Sequence, residues 1–357
     1  MKMLLPLLVV AALFALAFIA GPAGAGWLFG VALPYAALAL LVGGLLYRVA
    51  LWARAPVPFR IPVSCGQQAS LDWIRPARLD NPRSAAGAVG RMAIEVLLFR
   101  SLLRNTRAKQ TADGRLVYGT DLALWAGALA MHWAMLVLLV RHLRFVTEPV
   151  PALVLAVERV DSFLEIGLPA VYLTSVLFLG ALLYLLGRRL ANPLVRYVSL
   201  PTDYFALFLL LGIGLSGFAM RHLFRTDLAA AKELAMGLVR FAPVVPEAVG
   251  GVFFGHLFLV AALAAYLPFS KLLHAPGVFL SPTRNLANNN RAVRHVNPWD
   301  YPVKVHSYED YENELREKMV HAGIPVEREP EPVTAAVLVG ATEPAASADT
   351  QDPAGRV

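Results

Sequence analysis

The chain is expected to be an all-α integral membrane protein, and two observations carry that expectation. It is 57 % hydrophobic and only 16 % charged, where a soluble chain usually has about a quarter of its residues charged. It also contains several apolar runs near the roughly 20 residues that span a bilayer as a helix. Helices satisfy their own backbone hydrogen bonds in lipid, so the runs are expected to form a helical bundle.

Six spans are predicted, at about 3–20, 27–52, 119–143, 166–187, 203–221 and 249–270. The first begins with Lys2 and ends before Ala23-Gly24-Ala25, which resembles a signal-peptidase site. Retention of residues 1–25 gives six spans and cleavage gives five. Between the second and third spans, residues 53–117 carry Arg54, Arg60, Arg75, Arg78, Arg83, Arg91, Arg100, Arg104, Arg107, Lys109 and Arg115. That basic loop is expected on the cytoplasmic side. Within it, from about Val89 to Leu103, apolar residues alternate with Arg91, Glu95, Arg100 and Arg104. An amphipathic helix is predicted there, lying on the membrane, against a partner, or over the inner end of the bundle. Arg188, Arg189 and Arg196 place the loop after the fourth span inside as well. Arg141, Arg144 and Arg159 are balanced by Glu148, Glu158, Asp161 and Glu165, which suits an outside loop. Both termini then face the cytoplasm.

After about residue 280 the chain is expected to leave the membrane. Residues 281–328 read as a cytoplasmic docking segment with a charged helix at about 307–322. Residues 329–357 are rich in Pro, Ala, Glu and Thr and are expected to be disordered. The formal charge of +7 comes from residues beside the spans and gives no reason to expect nucleic acid as a partner. The single cysteine, Cys65, excludes an internal disulfide and a four-cysteine cluster built from this chain alone.

Four of the eight histidines lie in or beside apolar spans: His132 and His142 in the third, His256 and His274 around the sixth. An imidazole in hydrocarbon is costly and marks a functional site by default. Ten residues of helix advance about 15 Å and eighteen about 27 Å, so each span carries one inner and one outer histidine. The loop orientations pair His132 with His274 (inner) and His142 with His256 (outer). The unequal advances require helix tilt or an early end to the sixth helix, for which Pro268 and Pro276 are suited. Two bis-imidazole haems are the expected ligands, with one haem or no cofactor as alternatives. The depth spread argues against a zinc or iron site.

Other polar residues cluster near those positions. Arg141, Arg144 and Lys271 are candidates for haem propionates, or they anchor to headgroups. His222, Arg221, Glu165 and Asp161 are candidates for a quinone site, or an interfacial anchor. Cys65, Gln67, Gln68 and Trp299 are candidates for docking a partner.

The ten- and eighteen-residue histidine spacings on an early and a final helix resemble the gamma subunit of respiratory nitrate reductase, a membrane dihaem cytochrome b. More specific is the segment Pro58-Phe59-Arg60-Ile61-Pro62-Val63-Ser64-Cys65-Gly66-Gln67-Gln68. With Leu79-Asp80-Asn81-Pro82, Arg91-Met92, Glu95-Val96 and Phe99-Arg100-Ser101-Leu102-Leu103-Arg104-Asn105, it resembles the DsrM-type branch, the cytochrome b subunit of the membrane complex of dissimilatory sulfite reduction. The resemblance runs from about residue 30 to residue 325. It implies two b haems in the pairing given by depth, and exchange of electrons with menaquinone or another quinone near the outer haem. It also implies a cytoplasmic partner similar to the iron–sulfur subunit of heterodisulfide reductase, acting on the sulfur carrier DsrC. Periplasmic cytochrome and iron–sulfur subunits and a second membrane subunit would complete the complex, in a bacterial inner membrane. A non-redox membrane anchor and a transporter are the competing readings; no repeat or pair of broken spans favours the latter.

Overall fold

The computed structural model of the chain describes residues 2–54, 73, 77–104, 106–163, 165–166, 171–289 and 305–328. The expected docking residues Cys65, Gln67, Gln68 and Trp299 and the tail at 329–357 lie outside the described residues.

Six helices are long and apolar enough to cross a membrane. The first span is α1 (Leu4–Ala20), followed by a π-helical turn (Gly21–Ala25) in which Gly24 has φ of 102°. A second π-turn (Leu28–Ala32) leads into α2 (Leu33–Ala53). The reversal needs Gly24, because left-handed φ costs a residue with a Cβ.

Next come α3 (Ala85–Leu98), a short 3₁₀ turn (Arg100–Leu103) and an antiparallel hairpin of β1 (Arg107–Gln110) and β2 (Leu116–Gly119). The helix predicted in this region therefore stops short of Leu103. The hairpin is absent from the sequence expectation, although Asp113-Gly114 is a strong turn signal. Asp121 caps α4 (Leu122–His142), its carboxylate accepting from the Leu124 N–H at 3.0 Å.

The connection from α4 to the fourth span contains α5 (Ala152–Phe163) and a pair of two-residue strands, β3 (Glu165–Ile166) and β4 (Val171–Tyr172). The fourth span, α6 (Leu173–Ala191), starts seven residues later than the predicted 166. Gly167 and Pro169 just upstream are poor helix formers. A short α7 (Pro193–Val198) leads to α8 (Pro201–His222), the fifth span. After α9 (Leu228–Val239), capped by Asp227, comes α10 (Gly251–Tyr266). Around Pro268 the chain breaks into two 3₁₀ turns, and α11 (His274–Leu280) and α12 (Pro282–Asn285) follow.

The described residues 305–328 belong to a separate unit. Within it α13 (Tyr308–His321) opens with a capping box of Ser307 and Asp310. Its buried Glu312 pairs with Arg316 and accepts from the Glu327 and Arg328 N–H groups.

In the first unit α4 packs on α6, α6 on α8 and α8 on α10, while α1 lies against both α8 and α10. The core draws Val10, Met131, Leu182, Leu209 and Leu259 from five spans. Glycines bring α10 close to its neighbours, as expected where apolar packing rather than water exclusion joins helices. A Cβ at Gly255 would sit 2.5 Å from the Phe14 ring, and one at Gly251 would sit 2.4 Å from the Phe18 carbonyl oxygen. Residues 4–20 are thus packed into the bundle as one of its spans. Large apolar side chains stay exposed along the spans, among them Leu5, Ile19, Leu38, Leu46 and Leu139. A contiguous apolar exterior of that kind suits hydrocarbon, not water. Among the described residues α4 has no extensive contact with α10. The four span histidines are carried by those two helices and the turn after α10.

Candidate haem-binding site

All four histidines present the same local chemistry. On α4 the His132 Nδ1 lies 2.8 Å from the Ala128 carbonyl oxygen, and the His142 Nδ1 lies 2.7 Å from that of Leu138. The His274 Nδ1 lies 2.9 Å from the Lys271 carbonyl. A carbonyl has no proton to give, so Nδ1 carries the hydrogen and donates in each case. His256 differs in kind only: its Nδ1 lies 2.9 Å from the Ser216 Oγ. The Ser216 hydroxyl donates to the Gly212 carbonyl at 2.6 Å, so its oxygen is left to accept from His256. In the neutral form every Nε2 then holds the lone pair. This is the arrangement by which a ligand imidazole is oriented for a metal.

The histidines also come together in pairs. The His132 and His274 rings have centres 6.1 Å apart and planes 77° from parallel. An imidazole nitrogen stands about 2 Å from a metal and about 1.2 Å from its ring centre, so two axial imidazoles have centres about 6.4 Å apart. The observed separation fits a single iron between the rings. His142 and His256 lie close enough to interact electrostatically. Those proximities make α4 and α10 antiparallel. The unequal advance noted in the sequence is relieved at Pro268: α10 ends at Tyr266, and His274 rides on the following turn. Arg48 caps that break, its Nε donating to the Pro268 carbonyl at 3.1 Å. Among the described residues no group of three His, Cys, Asp or Glu side chains forms a metal site.

Phe99 closes the side of the first pair, its ring centre 4.8 Å from that of His132 and nearly perpendicular. Trp125 and Trp133 flank it, each indole N–H donating to a terminal carbonyl of α3: Leu98 at 2.8 Å and Leu97 at 3.0 Å. Beside the second pair, Gly217 faces the imidazole: a Cβ there would lie in ordinary contact with His256 Cε1, at 3.4 Å, and a larger side chain would meet the ring.

The cations expected at propionates each meet a carboxylate of this chain. Arg141 pairs with Asp161 at 2.6 Å, Arg144 with Glu158 at 2.5 Å and Lys271 with Asp203 at 2.8 Å. Asp161 is almost fully buried and also accepts from the Thr174 hydroxyl at 2.7 Å. Of the quinone-site candidates, Asp161 is thus bound into an ion pair, and the side chain of Glu165 lies outside what is described. Arg221 joins the same cluster from the end of α8. Its guanidinium lies 3.9 Å from the Tyr172 ring centre, and that of Arg141 lies 3.8 Å from it. Two cations stacked on one phenol ring are attracted by its quadrupole. His222 packs on Phe218, ring centres 4.5 Å apart.

Sequence reasoning passed over Phe99, Ser216, Tyr172 and Thr174 as site residues. Ser216 carries little signal of its own, because a serine in a membrane helix commonly donates to the carbonyl one turn back, as this one does to Gly212. Tyr172 and Phe99 carry no more, because aromatics near helix ends are ordinary membrane anchors.

Residues 92–295 match the family described as the nitrate reductase gamma subunit. An "Hdr-like menaquinol oxidoreductase cytochrome b-like subunit" of Archaeoglobus fulgidus is 43 % identical over 286 residues, covering 77 % of this chain and 84 % of that one. The protein of the same description from Archaeoglobus profundus is 41 % identical over 276 residues, covering 75 % and 82 %.

Proposed function

The chain belongs to the nitrate reductase gamma subunit family, and from that premise we propose that it is a membrane cytochrome b subunit with two b-type haems, moving electrons between menaquinol and a cytoplasmic iron–sulfur subunit. His132 and His274 hold one haem and His142 and His256 the other. The observation that carries this reading is the 6.1 Å separation of the first pair, with all four Nδ1 atoms engaged elsewhere. When bound, the haems supply two one-electron centres at different depths of the bilayer.

The chain's own residues do the rest. Ala128, Leu138 and Lys271 carbonyls and the Ser216 hydroxyl fix each ring's orientation and direct Nε2 outward. The Lys271–Asp203 ion pair pins the turn that carries His274. Arg144 and Lys271, each solvent-exposed within its ion pair, are positioned to share charge with propionates.

Oxidation of a quinol releases two protons with its two electrons, so a polar end is needed on the donor side. His222 and Arg221, beside the Asp161–Arg141 pair, form the proposed quinone end, at the His142–His256 level. The basic segment 53–117 assigns the opposite end to the cytoplasm. The acceptor there is proposed to be a heterodisulfide-reductase-like iron–sulfur subunit in sulfite and DsrC metabolism. The description of both relatives supports the heterodisulfide-reductase-like part of that reading, and the resemblance of the 58–68 motif to the DsrM type supports the sulfite and DsrC part. Cys65, Gln67, Gln68 and Trp299 are its proposed contacts.

Protein purified from haem-replete cells should show a b-type α-band on reduction and about two haems per chain. Added menaquinol analogue should reduce both. A colourless preparation contradicts the reading and returns the anchor or transporter alternatives.

A further inference from the structure

Phe99 is one of three non-glycine residues with positive φ among those described, at φ 50° and ψ 46°. A bulky residue in that region is strained, by about 1–2 kcal/mol. Ending a helix does not require it. Glycine adopts the same conformation without penalty and is the usual residue there. The ring carried at this strained position lies against His132, the two ring centres 4.8 Å apart and the planes nearly perpendicular.

Everything around Phe99 is braced to hold it there. Trp125 and Trp133 bind the two carbonyls preceding it, Leu98 and Leu97. Glu95 accepts from both the backbone N–H and the hydroxyl of Ser101, at 3.1 and 2.7 Å. Asp80 is bound by Arg100 at 2.9 Å and also by Arg104. From the far side of the sequence Arg284 reaches Glu95 at 3.5 Å, and the Asn288 N–H donates to the Pro82 carbonyl at 2.7 Å. These bonds join α3, α4 and α12 into one lid over the His132–His274 level.

We infer that the α3 lid shields the haem held by His132 and His274 from water, and that Phe99 is the positioning residue that sets this haem's reduction potential relative to the other. This rests on the two-haem reading above. Ferric b haem carries one more positive charge than ferrous, so water stabilises the oxidised form. Burial and local dielectric are therefore levers on the potential. The ring edge also limits rotation of the His132 imidazole, to which the ferric EPR signal is sensitive.

The test is a potentiometric titration with EPR on purified wild type, Phe99→Gly and Phe99→Leu. Phe99→Gly relieves the backbone strain while removing the ring, so the lid should still form and two haems should remain. One potential should fall by about 59 mV, a tenfold change in the one-electron equilibrium, with a shifted ferric signal for the same haem. The other potential should stay put. Phe99→Leu should move the same haem in the same direction by less. Two haems with unchanged potentials, or equal shifts in both, overturn the inference while leaving the cytochrome reading intact. If Phe99→Gly loses a haem, Phe99→Leu decides by the same criteria. Wild type without haem would instead sink the cytochrome reading itself.

Discussion

Around His132 and His274 the chain builds a lid from α3 and α12, tied to α4 through Trp125 and Trp133 and held by ion pairs that reach water. Around His142 and His256 it builds a compact polar cluster inside the fold. The first set, Asp80 with Arg100 and Arg104, has arginine side chains 32 % and 46 % exposed; the second, Asp161 with Arg141, has side chains 2 % and 13 % exposed. Near-identical hydrogen bonding of the imidazoles is therefore set in two unlike environments. A lid of loop and helix end suits docking of another protein, whereas a buried ion pair beside two stacked guanidiniums suits a small molecule that exchanges protons. The two ends differ in what surrounds the histidines, since all four use Nδ1 in the same way.

The largest effect should come from the buried pair. Asp161→Ala leaves the Arg141 charge without its partner and should cost about 3–5 kcal/mol, read as a lower unfolding temperature in detergent. Loss of stability near zero would mean that water reaches this cluster and that the two ends are more alike than drawn. Next, Gly217→Leu drives a side chain into the His256 ring, an overpacking cost of about 1–3 kcal/mol. It should deplete the His142–His256 haem alone, whereas Gly217→Ala, with its Cβ at ordinary contact distance, should keep both. Equal loss of both haems in Gly217→Leu would break the separation of the two ends.

The smallest effect belongs to the lid. The Arg100 guanidinium, hydrogen-bonded to Asp80, holds that carboxyl below its ordinary value of 3.8. A depressed carboxylate contributes stability above its unfolded pKa and loses it as pH falls through the folded one. Asp80→Asn should thus cost about 1 kcal/mol or less at pH 7, and the difference from wild type should vanish in acid below pH 3.8. A difference that persists unchanged in acid would remove the ion pair from the lid's support.

Much of this molecule is legible in its sequence because the bilayer imposes few solutions. Apolar length places the spans. A histidine in hydrocarbon announces itself, so His132, His142, His256 and His274 stand out, and Pro268 marks where the sixth helix yields. What could not be read are contacts between elements far apart in sequence. Phe99 on His132 requires knowing where α3 ends, and its left-handed turn lacks the glycine that usually marks such an end. Tyr172 between Arg141 and Arg221 joins three segments whose juxtaposition depends on how α4, α6 and α8 pack. The ion pairs of Arg141, Arg144 and Lys271 were also hidden, because their carboxylate partners, Asp161, Glu158 and Asp203, are 14 to 68 residues away.

The central claim is that the four histidines act as two specific pairs, and single-histidine variants test it most directly. Optical redox titration of His132→Ala, His274→Ala, His142→Ala and His256→Ala should give two classes. His132→Ala and His274→Ala should lose the same haem and keep the same remaining potential, while His142→Ala and His256→Ala lose the other. If His132→Ala and His256→Ala instead lose the same haem, or if all four variants retain two, the pairing is wrong.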